Sequence, residues 1–159
     1  MSIQIDAYGI IIDFQINGYR KTTKQNWDDE WCKCSFAFRS DNWLNYQSVD
    51  NEVLLSCEIE ELEENLTKLL DGEITEKKII EPIEPDFKFL LFPQEDLRNN
   101  PNYTYIQPGY EIQDIYLEWR VYFWSDGLTD NYLTVTFGRE EITTLRDYLR
   151  SVIGSRGAR

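Results

Sequence analysis

Three consecutive carboxylates stand between two tryptophans in Trp27-Asp28-Asp29-Glu30-Trp31. Such a run can clamp an incoming Lys or Arg while the indoles supply anchoring area, which is how protein interfaces build their strongest contacts. The same residues also suit a plainer role, in which Trp31 opens a strand and packs inward while the acids decorate a turn. A second acidic set lies in CEIEELEENLTKLLDG, where Glu58, Glu60, Glu61, Glu63 and Glu64 fall between the apolar positions. Like charges three and four apart on a helix repel by roughly a few tenths of a kcal/mol per pair. A basic partner relieves that repulsion, and so does plain solvation. Charge alone therefore nominates Trp27, Asp28, Asp29 and Glu30 as an anchor and Glu60, Glu61 and Glu64 as a steering surface for a partner.

Other chemistry finds little support. The chain has no histidine, the side chain that titrates near neutrality and the commonest metal ligand. Cys32, Cys34 and Cys57 form no C-x-x-C pair. Zinc would need a carboxylate beside all three, an uncommon ligand set. Cys32 and Cys34 instead share one face of a strand, where a thiol packs as a small hydrophobe. Two carboxylates about 5 to 10 Å apart would serve a glycosidase, but no loop-borne signature singles out one pair. Nucleotide-binding glycine motifs, an EF-hand and a nucleophile elbow are missing. The expectation is a protein that is not an enzyme and takes no metal or cofactor.

Charge and composition narrow the partner. The formal net charge is -13 over 159 residues, with 42% hydrophobic and 14% aromatic residues. Hydrophobicity at that level supports a folded core despite the charge. Acidity disfavours nucleic acid and anionic membrane as direct ligands, since phosphate binding relies on Lys and Arg. It favours encounter with a basic protein, although acidity also serves solubility alone. The opening MSIQIDAYGIIIDF has no basic region before its apolar run and reads as a strand rather than a signal peptide. With no apolar stretch near the roughly 20 residues of a spanning helix, the expected location is the cytoplasm. Residues 1–154 read as one globular domain and 155–159 as a frayed tail. Nothing in the sequence sets an oligomeric state.

Two helices must carry these groups. The first follows Ser56 as N-cap, with Ile59, Leu62, Leu66, Leu69 and Leu70 on one stripe and Gly72 closing it. The second lies in GREEITTLRDYLRSVIG, with Ile142, Leu145, Leu149, Val152 and Ile153 on one stripe and Gly154 ending it. Strands are expected at 3–7, 10–17, 31–39, 43–49, 52–55, 75–83, 86–92, 114–124 and 132–137, punctuated by Asn17-Gly18, Asp41-Asn42, Glu84-Pro85 and Asp126-Gly127. Residues 95–113 form the longest loop. Ile59, Leu62, Leu66 and Leu69 match Ile142, Leu145, Leu149 and Val152 at one constant offset, and each set follows an aromatic strand, a Ser-Asp turn and a second strand. The expected fold is α+β, mostly antiparallel sheet covered by two amphipathic helices, with two pseudo-repeated β-β-α units.

The plan resembles the WapI-type immunity proteins of bacterial toxin systems. The resemblance runs from residue 27 to residue 153, through Asp29-x-Trp31, CKCSFAF, LLSCEIEELEENLTKLL, EPDFKFLL, LEWRVYF and NYLTVTFGREEITTLRDYLRSVI. It implies a non-enzymatic inhibitor that binds the basic nuclease tip of a contact-delivered toxin, with no catalytic residues to transfer. An acidic plug suits such a nuclease, which must itself be basic to hold its substrate. The alternative is a structural or adaptor domain that meets another protein through its exposed aromatics.

Overall fold

The computed structural model describes residues 1–23 and 30–157, with side chains described as far as residue 154. Period-two patterning organises the first half. β1 (Ser2–Ala7), β2 (Ile10–Asn17), β3 (Trp31–Ser40) and β4 (Leu44–Leu55) pair antiparallel in that order. Alternate side chains turn inward, so Ile12, Phe14 and Ile16 of β2 and Cys32, Cys34, Phe36 and Phe38 of β3 are buried. The two strands expected at 43–49 and 52–55 are one strand, with Asp50 at a left-handed φ of 50° where the register with β3 shifts. A bulge absorbs what the sequence presents as a turn.

A second sheet follows in the order β10-β9-β6-β5, built from β5 (Lys78–Ile80), β6 (Phe87–Phe92), β9 (Tyr116–Trp124) and β10 (Leu128–Phe137). The expected strand at 75–83 shrinks to its three central residues, since Pro82 has no N–H to donate to a ladder. Within the long loop, β7 (Glu95–Asp96) and β8 (Ile112–Gln113) make a small ladder flanking a 3-10 turn at Leu97–Asn99.

The two large sheets face each other across aromatic rings. Trp119 at the centre is 0% exposed and meets Phe14 at 5.2 Å, Phe38 at 5.5 Å and Phe87 at 5.1 Å, all edge to face, while Phe36 meets Phe87 at 4.8 Å. Such pairs add about 0.5–1.5 kcal/mol each beyond the area they bury. The sheet expected beneath the helices is thus two sheets, and the core lies between them.

Each sheet feeds a helix. α1 (Ser56–Leu70) follows β4 and α2 (Arg139–Gly157) follows β10. Of the expected stripes, Ile59, Leu62, Leu66 and Leu69 on α1 and Ile142, Leu145, Leu149 and Val152 on α2 are buried in the core, while Leu70 and Ile153 are partly buried against it. Gly72, at φ 76°, ends α1 as the periodicity predicts: Glu73 N donates to Lys68 O at 2.9 Å and Gly72 N to Leu69 O at 3.3 Å. Gly154 does not end α2, which continues to Gly157; interior glycine costs a helix only about 1 kcal/mol and need not break it. The repeat is therefore larger than two strands and a helix. Each half is four antiparallel strands and a helix, and the two long connections, 18–30 and 93–115, both join the second and third strands of their sheets.

Candidate functional site

The start of α1 gathers two acidic side chains, Glu58 and Glu60, into internal roles. Leu55, not Ser56, occupies the N-cap, which places Glu58 at the third helical position. From there its carboxylate turns back, Oε1 accepting from Leu55 N at 2.8 Å and Oε2 from Ile83 N at 2.7 Å. Glu58 is consequently 9% exposed and not on the outer face that the charge pattern suggests. Burial pushes its carboxyl up from the ordinary value, against the two backbone bonds, which pull it down. Ser56 sits in the first turn, where its Oγ meets Cys32 Sγ at 3.3 Å.

Glu60 is also engaged. Its Oε1 accepts from Tyr19 Oη at 2.6 Å and from Thr22 N at 2.9 Å. On the other side, the Glu30 carbonyl accepts from Ser56 N at 2.8 Å. Both flanks of the segment 24–29 are therefore fastened to the first turns of α1. Trp27, Asp28 and Asp29 lie outside the described residues, and Glu30 meets α1 through its main-chain carbonyl. Glu61 and Glu64 are exposed, with Glu64 paired to Lys68 at 3.2 Å, while Glu63 bonds Arg150 of α2 at 2.7 Å. Trp31 is half-buried at the head of β3.

Sequence reasoning missed a second acidic place. A groove of about 630 Å³ runs beside residues 46–49 and 51–53 of β4, closed on its far side by Glu84, Asp86 and Trp124. Asp86 is 5% exposed and accepts from Trp124 Nε1 at 2.6 Å, and Trp124 N donates to Tyr46 Oη at 3.2 Å. Burial raises the Asp86 carboxyl above its ordinary value, with the indole bond opposing. Glu84, Asp86 and Glu52 form no ion pair among the described residues, and no Lys or Arg lines the groove. The signal was present as Glu84-Pro85-Asp86 before the apolar run FKFLLF, but only the pairing of β6 with β9 brings it to Trp124.

A third feature is the connection between β6 and β9. Tyr103, Tyr105 and Tyr110 are exposed there. The segment is braced by Arg98 to Asp96 at 2.8 Å, Asn100 Nδ2 to Glu95 at 2.9 Å and Gly109 N to Glu111 at 3.0 Å. Elsewhere, reactive groups are subdued. Cys34 is buried and its thiol is pushed far up by desolvation. Among the described residues no group of three or more acidic, cysteine or histidine side chains is placed to hold a metal, and no helix is long and apolar enough to cross a membrane.

Two facing antiparallel sheets, each followed by a helix, with carboxylates on the groove and the α1 surface, define an acidic α+β module. The model of the immunity protein WapI-like family matches residues 3–155, and the chain belongs to that family. No curated protein matches the chain.

Proposed function

We propose that the protein binds and inhibits a cognate toxin domain, a basic nuclease, in the cytoplasm of the producing bacterium, without catalysis of its own. Membership of an immunity protein family carries this reading. A net charge of -13 supports a basic partner, because opposite fields steer encounter and suppress wrong partners. In this reading Trp27, Asp28, Asp29 and Glu30 anchor the toxin. Glu61 and Glu64 steer it, and Glu60 acts by holding the segment before the anchor through Tyr19 and Thr22. Inhibition follows from occupying the surface on which the toxin would hold nucleic acid.

The test is binding of the purified protein to a basic nuclease toxin domain from its own source organism, measured across a salt series, together with nuclease activity of the mixture. Stoichiometric loss of nuclease activity, with affinity falling as salt rises, supports the reading. A toxin that binds but stays active, or no binding at low salt, overturns it. Reversing the charge at Asp28, Asp29 and Glu30 together should slow association and flatten the salt dependence.

A further inference from the structure

We infer that the groove beside β4 receives an extended, Lys- or Arg-bearing segment of the partner, laid along the free edge of the first sheet as an added strand. The inference deepens the inhibitor reading and rests on it for the identity of the partner.

Four observations converge. Among the described residues β4 ends its sheet and pairs only with β3, so its other edge leaves main-chain donors and acceptors along the groove without a described strand partner. The left-handed bulge at Asp50 leaves residues 44–49 as the straight run, long enough to pair with a short segment. The walls supply charge: Glu84 and Asp86 line the groove across from β4, Glu52 lines it from β4 itself, and no basic side chain is among its described lining residues. Trp124 holds the Asp86 carboxylate in place through its indole, so the acceptor is set before a partner arrives. Tyr46 and Trp124 add aromatic faces on which the stem and head of a Lys or Arg can lie.

What the edge lacks is equally telling. Proteins commonly blunt exposed edges with Lys or Pro, and Leu44–Leu55 contains neither. Its charged residues are Asp50 and Glu52, so two copies of this edge repel each other while a basic strand is drawn in. Main-chain pairing then supplies affinity, and the three carboxylates restrict the guest to a basic sequence.

The experiment records amide shifts of the labelled protein during titration with the peptide acetyl-Thr-Lys-Val-Lys-Val-Arg-amide. Its analogue with glutamine at the three basic positions serves as control. The expected result is perturbation confined to the amides of residues 46–53 and the Trp124 indole, with little response to the analogue. The double variant Glu84→Gln with Asp86→Asn removes two charges while leaving an oxygen for Trp124 to bond. It should weaken peptide binding at least tenfold, whereas Glu61→Gln with Glu64→Gln should change it less than twofold. Absent or scattered shifts, or equal binding by the groove variant, overturn the inference. The cognate toxin domain separates the two levels. Equal toxin binding by wild type and the groove variant removes the groove and leaves the inhibitor reading standing. Peptide binding without toxin binding removes the inhibitor reading and leaves the groove a receptor for basic strands.

Discussion

Glu58→Gln tests whether the acidic composition of α1 is structural as well as superficial. Glu58 serves two backbone N–H groups at once, Leu55 at 2.8 Å and Ile83 at 2.7 Å, and so joins the start of α1 to the approach to β6. Glutamine keeps one oxygen and turns an NH₂ toward the other donor. Leu55 is 1% exposed, so its N–H cannot turn to water, whereas Ile83 is 62% exposed and its N–H can. A buried donor left unpaired costs about 1–3 kcal/mol, and the surviving bond loses its charge assistance. Removing a partly desolvated carboxylate offsets some of this. The net loss should be about 2 kcal/mol, which for a chain of this size lowers Tm by roughly 4–8 °C. Urea unfolding at neutral pH, followed by tryptophan fluorescence, measures it. Glu61→Gln is the exposed control and should stay within about 0.5 kcal/mol of wild type. A Glu58→Gln variant as stable as that control refutes the double-acceptor role.

Other consequences are as direct. Tyr8 is 84% exposed at a left-handed φ of 52°, in a two-residue turn with Gly9, so Tyr8→Asn should raise stability by about 0.5–1 kcal/mol; an unchanged denaturation midpoint counts against strain at that turn. Because burial raises the Asp86 carboxyl, the native state keeps a proton that the unfolded chain releases above pH 3.8. The stability this contributes is complete below pH 3.8 and is lost as pH rises through the native value. Asp86→Asn removes that slope, so wild type should lose stability relative to the variant as pH rises, and parallel urea-midpoint curves refute the assignment. Arg150 joins α2 to Glu63 at 2.7 Å with half its own side chain in solvent, so Arg150→Ala should cost less than about 1 kcal/mol by thermal unfolding; a larger loss means that the helix pair depends on this contact.

Much of this architecture was legible in the sequence. The helix stripes are read correctly because Ile59, Leu62, Leu66 and Leu69 repeat at a helical period and have equivalents in α2. β2 runs over Ile10–Asn17 as alternation predicts, and Asp41-Asn42 and Asp126-Gly127 turn hairpins as their chemistry demands. Division into two sheets was not legible, since alternation says which side chains point inward but not which strand lies beneath them. The Asp86 groove escaped for the same reason: Asp86 precedes β6 and meets Trp124 through the pairing of β6 with β9, and only the packing of one sheet on the other brings Tyr46 of β4 to them. Glu58 misled because a charge on a wheel diagram looks exposed, while a carboxylate in the first turn can reach back to the main chain. Glu60, Glu61 and Glu64 do lie on one helix, but Glu60 spends its carboxylate on Tyr19 and Thr22.

The arrangement of the two sheets bears on how the chain is made. Each sheet and its helix come from a continuous half of the sequence, joined by the short stretch between Gly72 and Lys78. During synthesis the first half therefore leaves the ribosome complete in its main-chain pairing but bare on its aromatic side, with Phe14, Phe36 and Phe38 uncovered until Phe87 and Trp119 arrive. That interval is the hazardous part of the protein's life, open to aggregation or to pairing with the second half of another nascent copy. The same division makes a cut in the connecting stretch tolerable. Two separately expressed halves, each carrying its own sheet, should therefore reassociate when mixed, with burial of Trp119 read by tryptophan fluorescence.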